Sequence, residues 1–118
     1  MAHSKRKGKR GELELAAAFR EEGFDARRGQ QFKGGPESPD LIVDDLPWLH
    51  VECKRVEAFR LWDAFLQARH ESPEGAIPAV FHRKSRHPWV VVLSFEDFCR
   101  LAREYSGDAE PEEIGGAG

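Results

Sequence analysis

Pro39-Asp40 is followed, eleven residues later, by Glu52-Cys53-Lys54. Between them lie a short apolar run (Leu41, Ile42, Val43), a turn (Asp44-Asp45-Leu46-Pro47) and an alternating run from Trp48 to Lys54. If the two runs are strands of one hairpin, Asp40 at the base of the first comes close to Glu52 on the second. Side chains along a strand alternate faces, so Glu52 and Lys54 point one way and Val51 and Cys53 the other. Two carboxylates and an ammonium would then surround a single point. A hard divalent cation, and the phosphate it carries, call for such a cluster. The spacing therefore points to metal-dependent phosphodiester hydrolysis. A third carboxylate, Glu12, sits upstream in a segment of helical pattern.

His50 shares the strand parity of Glu52 and Lys54, so it either borders the site or is a half-exposed strand histidine. His82 and His87 flank a basic turn (Arg83-Lys84-Ser85-Arg86-His87-Pro88) and suit phosphate better than metal. Trp48, Trp62 and Trp89 read as core or interface residues, because base-stacking surfaces interleave exposed aromatics with cations.

The elements that must position these groups follow from pattern. A helix is expected from about Gly11 to Glu22, with Leu13, Ala16, Ala17 and Arg20 on one face, Leu15 and Phe19 on a neighbouring one, and Gly23 as its stop. A strand over 24–28, a polar glycine-rich loop over 29–38 and the hairpin come next. A second helix spans 59–71. Strands over 77–82 and 89–94 precede a last helix capped by Ser94, with Phe98, Leu101 and Ala102 facing inward. The order αβββαββα gives an α/β (α+β) fold, a mixed central sheet flanked by helices.

With 118 residues, 40% hydrophobic and a third charged, the chain is expected to form one globular domain over 8–105. A disordered basic arm (1–7) and a disordered acidic tail (106–118) would flank it. No run approaches the ~20 apolar residues needed to span a bilayer, and the N-terminus shows no apolar signal core. Cys53 and Cys99 belong to no CxxC pair, which favours free thiols in a reducing cytoplasm. Net charge is −3, but without the tail's four acids the 18 bases outnumber the acids by one. Lys7, Lys9 and Arg10, with Lys33, Arg83, Lys84 and Arg86, could follow a phosphate backbone.

The combination of a helix with Glu12, a strand, a polar loop, Asp40, the hairpin, Glu52-x-Lys54, a helix and two strands resembles the core of the PD-(D/E)xK nuclease superfamily. Gly8, Glu12 and Gly23-Phe24 bring the resemblance closest to the archaeal- and phage-type Holliday junction resolvases. It covers about residues 7–103 and implies a restriction-endonuclease-like fold. It also implies Mg²⁺ or Mn²⁺ held by Asp40, Glu52 and the Cys53 backbone carbonyl, with no organic cofactor. Glu12 would act as direct ligand, through a bound water, or on a second ion. Lys54 would orient water and neutralise charge on the phosphate. Gln67 resembles a glutamine that follows the core in several members; an ordinary exposed helix glutamine is the other reading. The family's loop serine corresponds to Ser38, displaced one residue upstream by Pro39, a backbone-contact candidate with Lys33.

The implied substrate is branched double-stranded DNA, the four-way junction, cut by a homodimer in a bacterial, archaeal or phage-infected cell. Trp62, Phe65 and Phe81 are apolar candidates for its interface, or core. Another nuclease of the superfamily and a non-catalytic DNA-binding module are the alternatives.

Overall fold

The computed structural model describes residues 2–29 and 39–107, with side chains from residue 8 onward. Expectations for the side chain of Lys7, for Lys33 and Ser38, and for the tail beyond Gly107 lie outside those residues. Helix α1 (Ala2–Glu21) is followed by strands β1 (Ala26–Arg28), β2 (Leu41–Val43) and β3 (Leu49–Arg55). Helix α2 (Leu61–Glu71), strands β4 (Ile77–Arg83) and β5 (Val90–Val92) and helix α3 (Phe95–Tyr105) complete the order αβββαββα.

The five strands form one mixed sheet in the order β1-β2-β3-β4-β5. Pairing is antiparallel except between β3 and β4, whose parallel register sets Glu52 beside Val80 and Lys54 beside His82. Alternation along β3 and β4 sorts the core into two layers. Val51, Ala79 and Phe81 pack with Leu15 and Ala16 of α1 and with Ala26, Leu41 and Val43. Val80 packs with Ala64, Phe65 and Ala68 of α2. The best-buried side chains, Leu41, Val51 and Val80, lie at the middle of the sheet. Each is worth roughly 1.5–3 kcal/mol in apolar burial.

Local chemistry explains the elements. Gly23, at φ 96°, ends α1, with the amides of Gly23 and Phe24 turned back to the carbonyls of Arg20 and Phe19. The hairpin turn closes through Leu46 N to Val43 O, and Asp45 accepts the amide of Asp25 beside it. Ser94 caps α3 by accepting the amide of Asp97.

Three expectations are corrected. Helix α1 begins at Ala2, well before the expected start near Gly11; Lys and Arg are good helix formers. Its buried stripe is Glu12, Leu15 and Ala16, whereas Leu13, Ala17 and Arg20 are exposed, one position round from the expected face. Among the described residues, helix α3 buries none of its own: Phe95 is 80% and Phe98 58% exposed, and Leu101 and Ala102 are only half-buried, so the face expected to turn inward is covered only in part.

Candidate active site

The site is built on the hairpin. Leu41 faces Val51 in the β2–β3 pairing, and the amide of Asp40 donates to the carbonyl of Val51 at 2.9 Å. Asp40 Oδ2 in turn accepts the amide of Cys53 at 2.8 Å. The Asp40 backbone and carboxylate thus attach on either side of Glu52. The Asp40 charge acts on Glu52 and raises its pKa.

Their environment resists two negative charges. Asp40 is half-buried, and its carboxyl is pushed up to about 6, mainly by burial, against the opposing effect of the Cys53 amide. Glu52 is 4% exposed and is pushed up to about 8 by burial, then by the charges of Asp40 and Glu71; Lys54 pulls the other way. Among the described residues, Glu52 Oε1 is buried without a hydrogen-bond partner, as is Nε2 of His50. Orphaned buried polar atoms are rare and costly. Hard oxygen donors at a buried point fit a divalent cation, which would lower both pKa values and satisfy the orphaned oxygen.

Glu12 arrives from α1 because the helix crosses β3 at Gly11. A Cβ there would stand 2.7 Å from Arg55 Cβ, so only glycine allows this approach. The Glu12 carboxylate is buried and accepts Arg28 Nε at 2.8 Å, and its charge still raises the pKa of Asp40 and of Glu52. Lys54 lines an open groove between the start of α1 and the end of β3, together with Arg10, Glu14 and Arg55. Cys53 packs against the α1 layer, and its thiol is pushed far above the ordinary range by burial, then by the charges of Asp40 and Glu12; its backbone amide donates to Asp40.

The outer candidates divide. Lys9, Lys84 and Arg86 are exposed. Arg83 is engaged: its guanidinium donates to Glu14 at 2.5 Å and to the carbonyl of His87 at 2.6 Å. Glu57 takes the amide and hydroxyl of Ser85 and the guanidinium of Arg55, which fastens the basic turn to the end of β3. His82 stacks on Phe59 and meets the Val56 carbonyl, and His87 meets the Ser85 carbonyl. Gln67 is exposed and donates to Glu71 at 3.2 Å.

Two residues were undervalued in the sequence. His50 is 3% exposed, not half-exposed, and stands beside Glu52. Glu71, one turn beyond Gln67, brings a carboxylate to the same place. Its i+4 relation to Gln67 was the available signal.

A five-strand mixed sheet under flanking helices, with Asp40 at the foot of β2 and Glu52 and Lys54 on β3, has the restriction-endonuclease-like architecture of PD-(D/E)xK nucleases. The chain belongs to the archaeal Holliday junction resolvase (Hjc) family, which matches residues 3–63, just over half its length. The match takes in Glu12, Asp40, Glu52 and Lys54 and ends inside α2, before Gln67 and Glu71. No curated protein and no solved structure matches the chain significantly.

Proposed function

We propose that this chain is a metal-dependent endodeoxyribonuclease that cuts four-way DNA junctions by phosphodiester hydrolysis and acts as a homodimer. The observation that carries the reading is the carboxylate pair of Asp40 and Glu52. Their pKa values are raised, one Glu52 oxygen has no hydrogen-bond partner among the described residues, and Lys54, two residues past Glu52, opposes both shifts with its charge. Membership of a resolvase family supports the junction as substrate.

Asp40 and Glu52, with the Cys53 carbonyl, would hold Mg²⁺ or Mn²⁺, and Glu12 would bear on the ion through its charge or a water. When bound, the cation supplies an activated water and stabilises charge on the scissile phosphate. The chain's own groups prepare for this. The Cys53 amide fixes the Asp40 carboxylate in one rotamer, and burial keeps Glu52 dry. Lys54 brings a positive charge to where the phosphate gains negative charge, and can orient the attacking water. Arg10, lining the groove with Lys54, and Lys84 and Arg86 on the turn past β4 suit the flanking phosphates.

Two-fold symmetry of a junction calls for two sites. Phe65 and Phe81 are core, which leaves Trp62, 68% exposed, together with Leu66, Phe95 and Phe98 as the apolar surface for a second copy.

The test is cleavage of a labelled four-way junction with Mg²⁺, alongside Asp40→Asn, linear duplex and single-strand controls. Paired symmetric nicks on the junction alone, lost in the variant, are expected. Equal cutting of linear duplex, or no effect of Asp40→Asn, would overturn the reading.

A further inference from the structure

The ligand atoms of His50, Glu52 and Glu71 lie within 4.8 Å of one another. His50 Nε2 and Glu52 Oε1 stand 4.0 Å apart, too far for a hydrogen bond, on side chains only 2% and 5% exposed. Neither atom has another partner among the described residues. A buried imidazole nitrogen and a buried carboxylate oxygen thus face each other across a gap that neither fills. Glu71 adds a carboxylate from the end of α2, where the helix dipole disfavours negative charge. Gln67 Nε2 holds its Oε2 at 3.2 Å. Two acids and a neutral histidine set together this way are mutually repulsive or unsatisfied as they stand. A shared cation removes all three penalties at once. Ligands about 2.1 Å from a common ion stand roughly 3–4 Å apart, so the cluster has to close by only a fraction of its present span.

We propose that His50, Glu52 and Glu71 form a second divalent-cation site, with Glu52 as the carboxylate shared with the Asp40 site. It rests on the reading that Asp40 and Glu52 hold the first ion. The imidazole sets its selectivity: a nitrogen with two carboxylates suits Mn²⁺ or Zn²⁺ better than Mg²⁺ or Ca²⁺, which favour all-oxygen sets. A carboxylate bridging two ions is also the arrangement by which paired metals clamp a phosphodiester. Glu71 lies beyond the family's matched segment, which ends at residue 63.

The test uses the full chain and Mn²⁺ alone, read by pulsed electron paramagnetic resonance. With two equivalents of Mn²⁺, a hyperfine coupling to directly bound imidazole nitrogen is expected. It should vanish in His50→Gln and persist in Asp40→Asn. Glu71→Gln, at a half-exposed helix end where folding is undisturbed, should weaken binding of the nitrogen-coupled ion at least tenfold. Absence of nitrogen coupling in the wild-type chain, or its survival in His50→Gln, would overturn the second site. Junction cleavage with Mg²⁺, measured on the same Asp40→Asn sample, separates the two ideas. Loss of cleavage without any nitrogen coupling in the wild type leaves the first site standing and removes the second. Nitrogen coupling with cleavage unaffected by Asp40→Asn upholds the second and removes the first.

Discussion

The carboxylate of Asp40 accepts the backbone amide of Cys53 at 2.8 Å. The bond ties the start of one strand to the middle of the next and commits one oxygen of Asp40 to the scaffold. Only the other oxygen is left for chemistry, and its direction is set by the sheet. The amide favours the ionised form, yet burial outweighs it and the pKa still rises to about 6. A group that is both held and discouraged from ionising is prepared for a cation.

Asp40→Asn keeps the shape and the bond to Cys53 but loses the charge. Junction cleavage under saturating Mg²⁺ should fall on the order of 10²–10³-fold, and Glu52→Gln should behave alike. Gln67→Ala, acting through Glu71, should lose no more than about 10–100-fold. Initial rates on one labelled junction compare the three.

The metal-free chain should lose stability as pH rises from 6.5 to 8. Folded Glu52 keeps its proton to about 8, whereas the unfolded chain releases it near 4.5. Folding therefore binds a proton across that window, and stability declines as pH climbs through it. Asp40 contributes in the same sense only to about 6. His50, lowered by burial, acts oppositely, but only up to its ordinary 6.5. Urea unfolding in chelator at both pH values checks this. Glu52→Gln should flatten the slope, as should saturating Mn²⁺.

Two glycines of α1 should respond with opposite sign. Gly11→Ala places a methyl 2.7 Å from Arg55 Cβ and should cost about 1–3 kcal/mol, displacing Glu12 as the helix lifts. Gly8→Ala meets no atom within 4 Å and should stabilise by about 0.5–1 kcal/mol. Denaturant midpoints give both values. Gly11→Ala should also slow cleavage, and Gly8→Ala should not.

Phe98→Glu introduces charge on the exposed face of α3. Sedimentation should show a wild-type chain that associates as concentration rises and a variant that stays monomeric. The dilute variant should unfold within about 0.5 kcal/mol of the dilute wild type, as exposed positions usually do.

The hairpin was legible because its signal is local: alternation from Trp48 to Lys54, a turn of Asp and Pro, and carboxylates at fixed offsets. The end of α1 at Gly23 and the cap at Ser94 were legible for the same reason. Helix faces were harder. Glu12, a charged residue, occupies the buried stripe that apolar counting gave to Leu13, and only its pairing with Arg28 makes that burial tolerable. The amphipathic pattern of α3 correctly marks a face, but pattern alone does not tell whether the same chain covers it. His50 and Glu71 come together because α2 runs back over the strand that carries Glu52, a contact between positions 21 apart that no local rule encodes.

Helix α3 has a further consequence. It has eleven residues and none of them buried, and isolated helices shorter than about 12–15 residues are marginal in water. The Ser94 cap and the Asp97–Arg100 pair add only small increments. Its amides therefore gauge occupancy: their rate of hydrogen exchange reads the fraction of time the Phe95–Phe98 face is covered. In dilute solution they should exchange close to the rate of free peptide, while those of β3 and β4 stay protected. Rising protein concentration should slow α3 alone, so one segment records how often a molecule has found its neighbour.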